Sequence, residues 1–85
     1  MPLFLIERQF ADALDVTGAE VAQIQRINAD LGVNWVFSFL SADRKKTYCL
    51  YEAPSAEAIR QAARLANLPA DAVIEVTQLR PEAFA

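Results

Sequence analysis

An α+β sandwich, with four antiparallel strands under two helices packed on one face, is the fold class this sequence predicts. Three observations predict it. Four short runs rich in β-branched and aromatic residues alternate with two segments of helical apolar spacing, in the order strand, helix, strand, strand, helix, strand. Each helical segment is long enough to carry the chain across a sheet, as a split βαβ arrangement requires. The two middle runs, within NWVFSFLSADRKKTYCLYE, meet at a short charged turn and so form a hairpin.

The elements follow in order. LFLIERQF (Leu3–Phe10) is a strand, apolar at its start and charged at Glu7 and Arg8. After a polar connection, Thr17-Gly-Ala-Glu20 fits a capping box in which hydroxyl and carboxylate satisfy early helix amides. Val21, Ile24, Ile27 and Leu31 then recur at spacings of three and four, and Gly32 stands where a left-handed C-terminal cap belongs. Val33–Ser41 and Lys45–Ala53 are the hairpin strands; Arg44 in their turn occupies a place where Gly would be more comfortable. Ser55 caps a second helix with Glu57 in its first turn, and Ile59, Ala62, Ala63 and Ala66 form a narrow stripe suited to close packing on a sheet. Asn67 ends this helix, Pro69 forbids its continuation, Ala72–Leu79 is the fourth strand and RPEAFA a tail. The economical topology is a ferredoxin-like βαββαβ plait with spatial strand order 4-1-3-2.

Side chains alternate between faces along a strand. A turn centred on Asp43–Arg44 pairs Trp35 with Glu52, Phe37 with Leu50 and Phe39 with Tyr48 on one face. It places Val36 with Tyr51, Ser38 with Cys49 and Leu40 with Thr47 on the other. The smaller set, including Ser38 and Cys49, belongs under the Ala-rich helices. Even positions of the first and fourth strands, among them Phe4, Ile6, Arg8, Ile74 and Val76, are expected there too. The open face then carries Glu7, Glu52 and Glu75 beside Trp35, Phe37, Phe39 and Tyr48. That apolar patch exceeds what a soluble monomer normally shows, so a second copy of the chain is expected to cover it.

Composition narrows the function classes. With 85 residues, 54% of them hydrophobic, residues 1–85 read as one globular domain, marginal by itself. A lone Cys49 forbids an internal disulfide, which leaves a homodimer or a ligand as the added stabiliser. A net charge of −3 lacks the basic footprint nucleic acid requires. No apolar run is long enough to span a membrane, and MPLFLIERQF lacks a signal peptide's basic start and small-residue cleavage site, so a cytoplasmic location is expected.

The string WVFSFLSADRKKTYCLYEAPSAEAIRQAARLANLPADAVIEV, with FLIER near the start, resembles a bacterial family of small domains of unknown function that includes a described nickel-binding protein. The Trp35/Ser38 pair, the TYCLYEAP run and the LPAD turn at Leu68–Asp71 are its most specific parts. The resemblance implies a ferredoxin-like fold, a dimer of the α/β-barrel type, and nickel as a metal to consider. The sequence has no histidine, so Cys49, carboxylates, backbone amides and the N-terminus are the donors it offers such an ion.

Three function classes stay open. Glu7, Glu52 and Glu75 could gather around nickel or another divalent cation, or around a small amine with Trp35, Phe37 and Tyr48 as aromatic walls. The plainer reading pairs each carboxylate with Arg8, Arg80 or a partner chain's arginine. Alternatively Glu7 or Glu52 serves as general base, with Tyr48 as proton donor, in a cofactor-independent isomerase or monooxygenase, an analogy at the level of fold. The third class is an assembly module with no ligand. Cys49 has no histidine to activate it and reads as a small buried hydrophobe.

Overall fold

A computed structural model describes residues 1–84 of the chain. β1 (Leu3–Gln9) leads into α1 (Gly18–Asp30), the hairpin β2 (Asn34–Leu40) and β3 (Lys46–Glu52), α2 (Ala56–Ala66) and β4 (Ala72–Val76), followed by a 3₁₀ turn at Pro81–Phe84. The strands form one antiparallel sheet in the order β2-β3-β1-β4, the order expected of a ferredoxin-like plait. The strands are shorter than the sequence suggested, most of all β4, which stops at Val76 rather than Leu79.

Local chemistry starts and stops the helices. The Thr17 hydroxyl accepts from the Glu20 amide at 3.2 Å, and the same hydroxyl donates to the Glu20 carboxylate. The box is therefore closed side chain to side chain instead of through the Thr17 amide. Ser55 caps α2 by accepting from the Ala58 amide. Asn67 ends it in the left-handed conformation at φ 57°, and Gly32 follows α1 at φ 68°. Arg44 takes φ 63° in the hairpin turn, where a Cβ is strained. Its guanidinium donates twice to the Leu14 carbonyl, at 2.9 and 3.1 Å, and its own carbonyl accepts from the Leu14 amide. These bonds offset the strain and tie the hairpin turn to the connection before α1.

The core lies between the sheet and the helices. Phe4 and Ile6 of β1, Cys49 and Tyr51 of β3, Val33, Ala53 and Ile59 form one buried cluster. Two face assignments differ from the sequence reading. First, the β2–β3 register slips between Trp35 and Phe37, so Trp35 stands opposite Tyr51, not Glu52, and turns under the helices. Val36 is the extra residue, and a bulge of this kind is invisible to a strict two-residue alternation. Second, β4 is inverted. Val73 pairs with Ile6 and packs on the core, whereas Ile74 pairs with Leu5 on the open face and Glu75 pairs with Phe4 on the helix side. Because β4 is an edge strand, Glu75 stays exposed there, so its charge did not reveal its side of the sheet.

The helices cover the sheet unequally. α2 buries Ile59, Ala62 and Ala63, but α1 buries only Asn28, with Val21, Ile24 and Ile27 half-buried. A Cβ built on Gly32 meets nothing within 4 Å, so Gly32→Ala should cost only the backbone penalty of a left-handed alanine, about 1–2 kcal/mol. Urea unfolding should show a lower midpoint at unchanged slope.

Candidate functional site

The open face holds part of the expected constellation. Glu7 faces Tyr48 across the β1–β3 ladder, and its Oε1 lies 3.2 Å from Lys46 Nζ. The Lys46 ammonium sits 5.0 Å from the Tyr48 ring centroid. Hydrogen bonding to Glu7, then to Tyr48, raises the Lys46 pKa above its ordinary value. Glu52 accepts from the Asn34 side-chain amide at 2.8 Å. The partners are thus Lys46 and Asn34, not the arginines the sequence suggested; Arg80 pairs with Glu82.

The three carboxylates do not converge. Glu52 stands opposite Leu3, four residues along β1 from Glu7, a separation of about 13 Å at strand rise. Hard cations hold carboxylate oxygens within about 2.6 Å, so one ion cannot join the two. Glu75 faces the opposite way, as does Trp35. Among the described residues no three Cys, Asp or Glu side chains form a metal-holding group. Phe37, Phe39 and Tyr48 do share the open face. Phe37 and Phe39 meet edge to face at 5.3 Å and are 47% and 65% exposed, and Ile74, 47% exposed, joins them.

A second site lies under α1, where the half-buried helix leaves a pocket of about 150 Å³. Trp35, Ser38, Thr47, Cys49 and Tyr51 floor it, Val21 and Ile24 roof it, and Leu14 and Val16 of the connection stand at its side. Its wall is overwhelmingly carbon. The Trp35 and Tyr51 rings are parallel within 9°, centroids 6.4 Å apart, and the indole N–H donates to the Ser38 hydroxyl at 2.8 Å. The Cys49 thiol lies 3.5 Å from the Thr47 hydroxyl.

Arg8 also lines this pocket and is only 3% exposed. Its Nη1 donates to the Pro69 carbonyl at 2.5 Å, and its guanidinium carbon lies 5.8 Å from the Tyr51 ring centroid. Burial raises the Tyr51 pKa, opposed by the nearby Arg8 charge. The sequence reading placed Arg8 beneath the helices and also offered it as a partner for the carboxylates, but it takes part in none of the ion pairs among the described residues. The signal for its placement was its parity with Phe4 and Ile6.

The profile described as "Nickel responsive protein SCO4226-like" matches residues 4–76. The chain belongs to this family. A solved structure of the family's namesake, SCO4226 from Streptomyces coelicolor A3(2), superposes with a TM-score of 0.70 at 23% identity, over 92% of this chain and 99% of that one. At that identity the likeness establishes the fold alone. No curated protein matches the chain. No helix among the described residues is long and apolar enough to cross a membrane.

Tyr51 sets an alkaline limit. Its folded pKa is raised, so its contribution to stability is complete below the ordinary value of 10.0 and is lost as pH climbs from there through the folded pKa. Lys46, also raised, acts with the same sign. Urea unfolding from about pH 9 to about pH 11 should therefore show falling stability, and Tyr51→Phe should start lower but fall less steeply.

Proposed function

We propose that this member of the family binds a small, mostly apolar organic ligand beneath α1, as a homodimer joined through its open sheet faces. The observation that carries the reading is the pocket itself, a carbon-walled space of about 150 Å³ between the sheet and α1. The pocket opens part-way to solvent, but water admitted there meets few polar partners. An apolar cavity of this size in another protein accepts a benzene ring, which sets the scale of the ligand.

Toluene added to untagged protein should raise the melting temperature and shift the Trp35 indole N–H resonance. Cys49→Leu, which fills the floor, should abolish both effects. Unchanged melting and an unmoved indole signal in the wild type would rule the pocket out.

A second copy is the occupant that suits the open face. Leu5, Phe37, Phe39, Leu50 and Ile74 make it apolar, and the Glu7–Lys46 pair offers both signs of charge to a two-fold mate. Phe37→Glu should give a monomer by light scattering; an intact dimer would place the interface elsewhere.

Nickel binding is the second reading, and the family description favours it. The donors of one chain do not fit such a site. Histidine is missing, Cys49 is buried among carbons, and Glu7 and Glu52 lie apart. A nickel site in this member therefore requires donors from two chains. Native mass spectrometry of untagged protein with nickel should then show metal only on dimers and none on Phe37→Glu. The general-base reading has Glu7 held by Lys46, and the assembly-module reading leaves the pocket without a role.

A further inference from the structure

The pocket beneath α1 has a second cavity as its neighbour. A groove of about 470 Å³ runs between α1 and the end of α2, and its lining mixes carbon with polar groups. Phe10, Leu14, Val16, Ile24 and Leu68 border both spaces and so stand between them. Leu14 and Val16 belong to the connection before α1, which has neither helix nor strand to hold it. Among the described residues, Leu14 is the one position from Ala11 to Val16 that hydrogen-bonds outside this segment, and its partner is always Arg44. The Leu14 amide donates to the Arg44 carbonyl at 2.6 Å, and Arg44 Nε and Nη2 donate to the Leu14 carbonyl at 3.1 and 2.9 Å. Leu14 is also the one half-buried residue of that stretch. Arg44 makes these bonds from φ 63°, a conformation glycine takes without strain. Glycine would keep the turn but lose both guanidinium bonds. Strain kept at a residue that fixes another is an outlier with a use.

From this we infer that Arg44 is a positioning residue that sets the length of ligand the pocket accepts, acting through Leu14. While Arg44 holds it, Leu14 closes the side of the pocket, and the enclosed space of about 150 Å³ takes one ring. With the two guanidinium bonds gone, the connection yields and the pocket joins the groove as one elongated space. A second ring in line with the first then has somewhere to lie. The walls fix the chemical class. Carbon at the inner end calls for an uncharged, hydrocarbon-like body, because a charge buried there meets no partner. Arg44 itself touches no ligand. It acts on the rank order of ligands by holding one leucine in place.

The inference rests on the pocket being a ligand site, and the two can fail separately. Toluene and biphenyl, one ring against two in line, would be titrated into untagged full-length protein, with the Trp35 indole N–H resonance reporting binding. Wild-type protein should bind toluene and discriminate against biphenyl. Arg44→Gly should raise the biphenyl-to-toluene affinity ratio roughly tenfold or more, a modest part of what burying a second ring yields. A purely structural role for Arg44 would weaken both ligands alike and leave that ratio where it was. Leu14→Ala should shift the ratio in the same direction, because every Arg44 bond goes to the Leu14 main chain and survives the change. If Arg44→Gly does not fold, Arg44→Asn replaces it, since asparagine also tolerates a left-handed backbone. Toluene binding with an unmoved ratio in either variant overturns the inference and leaves the pocket as a ligand site. Wild-type protein that binds biphenyl as tightly as toluene also overturns it, because nothing is then closed. Failure of wild-type protein to bind toluene overturns both.

Discussion

One inserted residue governs how this sheet divides its aromatic side chains. β2 carries Trp35, Phe37 and Phe39, which strict alternation would align on a single face. The bulge at Val36 breaks that alignment, and the indole N–H to Ser38 bond, 2.8 Å long, spans it. Trp35 turns inward beside Tyr51, while Phe37 and Phe39 remain outside. Both surfaces with functional character depend on this division. The inner one gains a flat aromatic floor, and the outer one loses its largest ring and becomes a smoother apolar sheet.

The two helices show why the core is complete on one side and open on the other. α2 approaches the sheet through alanines, so its backbone comes close and Ile59 fills the remaining gap. α1 presents longer side chains at Val21, Ile24 and Ile27, which stay half-buried. Asn28, the one buried residue of α1, has a side-chain nitrogen with no partner among the described residues. Such a helix rests on the sheet more loosely than its neighbour.

Most of the architecture was legible because it is written in local chemistry. Thr17, Gly32, Ser55 and Asn67 mark helix ends through bonds or dihedrals that only a few residue types supply, and all four serve as read. The strand order followed from the sequence of elements, and the hairpin register held from Phe37 to Leu40. What stayed illegible depends on distant pairing. Nothing near Val36 announces a bulge, and VIEV alternates equally well in either sense until Ile6 claims Val73. The candidate site inherited both errors. Trp35 and Glu75 left the open face together, while Arg8, on the correct face from the start, had been offered as a partner to carboxylates that do not pair with it.

The sheet's central strand is also its earliest. β1 lies between β3 and β4, with Leu5 paired to Leu50 on one side and Ile74 on the other. During synthesis β1 emerges long before either neighbour, while the β2–β3 hairpin needs only a short turn to close. Loops that large cost entropy before any ladder bond repays it, so pairings of this range form slowly. The hairpin therefore exists for a time as a two-stranded ribbon with Phe37, Phe39 and the free edge of β3 unprotected, and the chain is most prone to mispairing with its own copies before β1 takes its place.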